Sequence, residues 1–305
     1  MFKGYSKAEK RRFPFVAMML AFPILQFLIF YVYVNINTFV LAFTDIQGNF
    51  SLINFQEVIK EWETPTLMSL QASVGRSMIT WCCMTFLVFP IQILFTYALY
   101  KKVAGEMIFR VIFFLPSILG SAIISTLFRY LLDGPISGIL YELGWISEEL
   151  YQMGFFFGPV SFKTIVVYGI WLGLTGNVVV LTGAMSRIPE DVLEYAKLDG
   201  VGFFREFFQI VLPLIWPTIS TLLIYMIAGI FTADYGTYLL TGWGNPDAST
   251  MGYYMSHYLF YLTESGSTAG AHYPAAIGVC VTVITLPVCL IIRHLLEKHT
   301  EEIVY

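Results

Sequence analysis

Long apolar runs separated by short charged clusters dominate the chain. A helix that crosses a bilayer needs about 20 mostly apolar residues, because the hydrocarbon core is about 30 Å thick and each residue rises about 1.5 Å. Six stretches satisfy that condition, at 14–43, 71–99, 108–132, 164–185, 214–241 and 273–293. The runs are continuous rather than alternating, which predicts helices and not the strands of an outer-membrane barrel. Prolines and glycines inside several of them are compatible with spanning where neighbouring helices satisfy the freed backbone groups. Between the third and fourth runs, Gly134 to Gly158 is too polar to span and too apolar for a free loop, so it predicts a short helix at the outer interface. The expected architecture is an all-α membrane protein, one domain over 1–305 with six transmembrane helices.

Composition agrees with that pattern. Of the 305 residues, 57% are hydrophobic and 12% charged, with a mean hydropathy of +0.71. A soluble protein carries about 25% charged residues, roughly twice as many. The net charge of −4 supplies no basic field, which argues against a nucleic-acid partner. Lys3, Lys7, Lys10, Arg11, Arg12, Lys101, Lys102, Arg110, Arg187, Lys197, Arg205, Arg293 and Lys298 fall on one set of connections, against Lys60 and Lys163 on the other, with Arg129 at a span end beside it. The positive-inside rule then puts both termini in the cytoplasm. The outer connections hold Glu57, Glu61, Glu63, Asp133, Glu142, Glu148 and Glu149, a surface suited either to a soluble protein partner or to water alone. Phe13 to Phe43 is about twice as long as the apolar core of a signal peptide and shows no small-residue cleavage site, so it is expected to be a retained span. Cys82, Cys83, Cys280 and Cys289 sit in apolar runs, and His257, His272, His294 and His299 are scattered, so no metal site is expected.

One cytoplasmic connection is unusual: Ser186 to Pro213, SRIPEDVLEYAKLDGVGFFREFFQIVLP. Pro189 followed by Glu190 and Asp191 starts a helix well, since proline lacks an N–H that would be orphaned there and acids favour the positive end of the dipole. That helix is expected to reach Leu198. Asp199 and Gly200 then break it, because glycine takes the left-handed conformation that releases a chain from a helix. A second helix follows, with Phe203, Phe204, Phe207, Phe208 and Leu212 along an aromatic side.

The same stretch carries a spaced motif: Glu194, Tyr195 and Ala196, three residues, Gly200, nine residues, then Ile210, Val211, Leu212 and Pro213. It resembles the EAA loop of permease subunits of ABC importers, with Tyr195 departing from the second alanine. Phe109 to Leu140, Trp171 to Gly202 and Asp234 to Pro246 are similar to segments of carbohydrate permeases of the maltose and glycerol-phosphate type. The resemblance implies the type I ABC importer permease fold, multi-pass, in a bacterial or archaeal cytoplasmic (inner) membrane. It also implies an ABC ATPase dimer docked on the loop through Glu194, Ala196, Asp199, Gly200, Ile210, Leu212 and Pro213. A second, different permease would complete the path, and an extracellular or periplasmic binding protein would deliver a carbohydrate. The chain has no G-x-x-x-x-G-K-[ST] phosphate loop, so ATP and Mg belong to the partner ATPase and this subunit needs no cofactor and is no enzyme.

By the same resemblance, the fourth and fifth spans line the cargo path. The matching positions are Leu172, Gly173 and Gly176 on the fourth and Met226, Ile230 and Ala233 on the fifth, with Asn177 and Asp234 as polar path candidates beside them. Thr175, Tyr225, Thr232 and Tyr235 are polar candidates close by. Met, Ile and Ala stand where maltose permeases carry amides and hydroxyls, so maltose itself is not the expected cargo. Asn177 either faces the cavity or bonds a neighbouring helix, because an unpaired amide in hydrocarbon is costly. A carboxylate within a span costs roughly 2.5–3.5 kcal/mol, so Asp234 is expected to meet cargo hydroxyls or a cation, with Arg76 and Arg129 as candidate partners. An ABC importer permease for an amino acid, peptide or phosphorylated solute is the alternative reading. An intramembrane enzyme would need a second catalytic group beside Asp234, and none lies nearby in sequence. A passive channel would leave the loop without a purpose.

Overall fold

The computed structural model describes residues 7–64, 68–103, 105–264 and 271–300. Lys3 lies outside them, as do the side chains of Lys7, Lys10, Arg11, Arg12, Arg110 and His299. The described chain is helical apart from its connections and one isolated bridge between Thr44 and Phe50. Five helical stretches are long and apolar enough to cross a membrane: α1 (Met18–Ala42), α2 (Leu70–Tyr100), α3 (Ser121–Glu142), α4 (Gly158–Met185) and α6 (His272–Lys298). A sixth, α5, is the pair Phe203–Leu214 and Trp216–Ala228, bent by 72°. The chain is a multi-pass, all-α membrane protein.

Two of the predicted spans are redrawn. The third was expected to run unbroken over 108–132. Gly120 instead takes an extended conformation (φ −61°, ψ 143°), ending one helix at Glu106–Ile118 and starting α3 at Ser121. α3 then continues past Asp133, because a wide turn over Leu132–Ile136 accommodates Pro135 and its missing N–H. The expected short helix is present but later, at Glu148–Met153, where the Ser147 hydroxyl accepts from Leu150 N–H at 3.3 Å. The fifth span was expected over 214–241. Pro213 and Pro217 flank a non-helical Ile215, where α5 bends. Its helix stops at Ala228, and Gly236 (φ +78°) precedes a separate turn of helix at Thr237–Thr241. Ile230, Ala233 and Asp234 therefore lie on a connecting segment, not on a helix.

Backbone packing divides the chain into two units. The first comprises residues up to 60 together with 258–280. There Ala42, Ala275, Ala276 and Val279 form a small core flanked by Phe43, Phe55 and Val58. Asn54 secures the chain after α1 by donating to Ala42 O (3.0 Å) and Thr44 O (2.9 Å). Most of α1, including Met18, Phe22 and Phe30, is exposed, as suits a helix whose solvent is lipid.

The second unit comprises 61–257 and 281–305. One core joins Phe89, Ile93 and Tyr97 of α2 to Leu181 and Met185 of α4, to Ile188 and Leu193 beyond it, and to Phe207, Val211 and Ile219 of α5. Another gathers Ile124 of α3 and Ile165 and Tyr168 of α4 with Phe156 and Leu240. Polar contacts hold the segment after Thr241. Arg76 donates to Pro246 O (2.6 Å), Ser73 and Ser249 share a hydroxyl contact (2.8 Å), and Met251 N–H donates to the Ser77 hydroxyl (2.7 Å). Asn245 donates to Phe156 O (2.8 Å) and Tyr253 OH to Gly242 O (2.7 Å). The segment turns through two glycines of positive φ, Gly242 and Gly244, and the Gly242 carbonyl that this exposes is satisfied by Tyr253.

Candidate functional site

Within the second unit, a cavity of about 540 Å³ opens between α2, α4, α5 and the segment after it. Gly169 and Gly173 let α4 approach α2 closely: a Cβ on Gly169 would stand 2.6 Å from Met84 Cε, and one on Gly173 would stand 3.0 Å from Val88 Cγ1. Almost fully buried Gln92 supplies the polar wall. Its amide donates to Gly173 O (2.9 Å), and its carbonyl accepts from Asn177 Nδ2 (3.2 Å). Asn177 sits at the joint where α4 leaves and re-enters helical geometry. Both options for Asn177 are thus met: it lines the cavity and bonds a neighbouring helix.

Asp234 lines the cavity with Tyr235 and Gly236. One carboxylate oxygen accepts a long bond from Tyr238 N–H (3.4 Å), and Oδ1 is buried with no hydrogen-bond partner. Neither expected cation reaches it. Arg76 is spent on the Pro246 carbonyl, and Arg129 lies 3.9 Å from Asp133 with its guanidinium over the Phe156 and Phe157 rings. Gly236 is obligatory here, since it combines positive φ with a Cβ position 2.8 Å from Tyr168 Cε1.

Leu172, Gly173, Asn177, Met226 and Asp234 are brought together on this wall, while Gly176, Ile230 and Ala233 are not among its lining residues. Tyr235 also lines it; Tyr225 is 77% exposed and points elsewhere, and the Thr175 hydroxyl donates to Leu172 O (2.7 Å). Gln92 and Tyr168 were not anticipated. For Gln92 a signal existed, an amide set among apolar residues well inside the second span.

The second region is the connection between α4 and α5. Its first helix runs Glu190–Leu198, with Glu190 and Asp191 in the first turn and Lys197 in the last. It closes on Gly200 at φ +69°, where Gly200 N–H donates to Lys197 O (3.1 Å) and Val201 N–H to Ala196 O (3.0 Å). This paired closure is the glycine helix stop expected from the sequence. The motif residues then separate into two sets. Glu194, Asp199 and Gly200 are exposed, beside exposed Tyr195 and Leu198. Ala196 is buried, and Ile210, Leu212 and Pro213 are half-buried in the bent α5. Tyr195 departs from alanine on the exposed side, where a large side chain meets no packing constraint.

No protein-family model matches the chain. It is 26% identical over 170 residues to the multiple sugar-binding transport system permease protein MsmF of Streptococcus mutans, covering 55% of this chain and 58% of that protein. It is 29% identical over 200 residues to the diacetylchitobiose uptake system permease protein NgcF of Streptomyces coelicolor, covering 61% and 52%. Over 151 residues it is 28% identical to the maltose/maltodextrin transport system permease protein MalF of Shigella flexneri, covering 48% and 28%. The chain spans about half the length of the first two of these relatives and less of the third. Among solved structures, it matches a chain of a bacterial ABC transporter involved in the import of the acidic polysaccharide alginate, with a TM-score of 0.76 at 21% identity, covering 96% of this chain and 98% of that one. A second alginate transporter structure, in complex with an alginate-bound periplasmic protein, matches with a TM-score of 0.77. The fold is that of ABC importer permeases, and the sequence is similar to permease subunits of sugar ABC transporters.

Proposed function

We propose that this chain is a transmembrane permease subunit of an ATP-driven carbohydrate importer in a bacterial or archaeal cytoplasmic membrane. The observation that carries the reading is the 190–214 connection. It exposes Glu194, Tyr195 and Leu198 around a glycine-set turn while Ala196, Leu193 and Phe207 anchor it, the form expected of a rigid docking element. An ATPase dimer docks there and supplies ATP and Mg, and this subunit itself hydrolyses nothing. The α2–α4–α5 cavity forms half of the cargo path, completed by a second, different permease. In this arrangement the termini and the 190–214 connection are cytoplasmic, and a binding protein delivers cargo from the opposite side.

Within the cavity, Gln92 and Asn177 hold each other in fixed orientation and offer amides suited to sugar hydroxyls. The unpaired Asp234 Oδ1 provides an acceptor. The test is co-purification of the complex from its native membrane, followed by identification of its subunits and any retained ligand. An ATPase, a second permease and a bound saccharide are expected; a complex without an ATPase would refute the reading.

A further inference from the structure

Just past the end of α2, beyond the cavity wall, stands an ion pair whose carboxylate is buried and whose lysine side chain is 21% exposed. Lys101 Nζ lies 2.7 Å from Glu206 Oε1 and 3.0 Å from Oε2, and Glu206 is 3% exposed. Glu206 belongs to the second helix of the 190–214 connection. One turn before Lys101, fully buried Tyr97 packs its ring at a tilt against those of Phe203 (4.8 Å between centroids) and Phe207 (5.1 Å) in the same stretch. Beyond the pair the chain leaves the helix through Lys102 at φ +54°, an unfavourable conformation for a residue with a Cβ and one that persists only where surroundings impose it.

An ion pair with a buried member is a poor way to gain stability, because desolvating the buried charge offsets much of the attraction, and apolar residues of similar size often do as well. Its better-attested use is to fix register between elements. Here it fixes a particular register. Gln92, which builds the cavity's polar wall, lies on the helix that ends at Tyr100 with Lys101 as its C-cap, so the two are nine residues apart and about 13 Å along the helix axis. Any displacement of the connection is therefore carried by the helix into the wall.

We propose that Lys101 and Glu206 are positioning residues, a strut through which movement of the 190–214 connection resets the Gln92–Asn177 wall of the cavity. The proposal rests on the importer reading, and the strut adds to it a defined route between the ATPase face and the cargo.

The test uses the complete complex in lipid vesicles, with its ATPase, second permease and binding protein. Lys101→Met and Glu206→Gln should still retain the ATPase in a pull-down. Cargo-stimulated hydrolysis should fall about tenfold relative to basal hydrolysis, in the usual range of coupling between sites, and uptake should fall with it. The exchange Lys101→Glu with Glu206→Lys should restore a substantial part of the stimulation, which loss of packing alone would not allow. Stimulation equal to wild type in both single variants would overturn the proposal. So would an exchange variant that pulls down the ATPase and yet recovers nothing, or single variants that lose the ATPase and are not rescued by the exchange. If wild type itself binds no ATPase, it is the importer reading that fails, and the strut with it.

Discussion

At Gly200 the conformation is demanded and the space is not. Its φ is +69°, yet a Cβ there would meet nothing within 4 Å. A substitution is therefore penalised through the backbone alone, by about 1 kcal/mol or more for a β-branched side chain. Asparagine tolerates the left-handed region, so Gly200→Asn is expected to keep ATPase pull-down and uptake while Gly200→Val weakens both. Equal loss in the two variants would mean that the surface, rather than the turn, is what the partner reads. Asp234 poses the opposite case, a carboxylate with one oxygen on Tyr238 N–H and the other left without a hydrogen-bond partner. Because Oδ1 is buried and unpaired, Asp234→Asn is expected to change transport and cargo-stimulated hydrolysis with assembly intact. Transport identical to wild type over a range of cargo concentrations would assign the carboxylate to the turn before Tyr238. The loop glycine was legible because its spacing and neighbours specify a turn. The isolation of Asp234 was not, since sequence order gives no hint that Arg76 is committed to a carbonyl 170 residues away.

Where helices meet, the amide chain Asn177–Gln92–Gly173 is the only polar connection described between α2 and α4 at the cavity. Interhelical hydrogen bonds within membranes contribute about 0.6 kcal/mol on average, and up to about 1.7 kcal/mol. Gln92→Leu removes two such bonds and leaves the Gly173 carbonyl and the Asn177 amide without their partner. Thermal unfolding in detergent is expected to show that Gln92→Leu and Asn177→Leu together cost less than the sum of the single changes. Strict additivity would show that the amides act separately. Spans that are continuous in hydropathy proved the hardest to read at this scale. The apolar pattern over 108–132 and 214–241 reports the surrounding solvent, which is the same for a helix and for a broken one. Gly120, Pro213 and Pro217 were visible, but prolines and glycines also occur in unbroken spans, and only packing decides which of them interrupt the helix.

For the whole molecule, orientation is the property on which the proposed cycle depends. In a background with the four native cysteines replaced, a cysteine at position 57 is expected to react with an impermeant reagent added to intact cells, and one at position 191 only after the membrane is opened. The reverse pattern would invert the assignment and place the 190–214 connection out of reach of any cytoplasmic ATPase. The number and approximate location of the spans could be read from hydropathy because a bilayer imposes a length on whatever crosses it. The cavity could be read only in part. Its glycines and Asp234 stood in segments with a recognisable pattern, while Gln92 and Tyr168 enter it through tertiary packing.

The close approach of α4 to α2 has an evolutionary side. Gly169 and Gly173 leave a gap that is filled by Val88 and by one flexible thioether, Met84, both of which line the cavity. Methionine adapts its shape without holding neighbours rigidly. Part of the cavity lining is thus a residue that takes no part in the amide network, and substitution at position 84 alters the lining while the hydrogen bonds of the polar wall stay as they are. If the chain carries saccharides, selection for longer or bulkier cargo has a place to begin that does not first require a new set of hydrogen bonds.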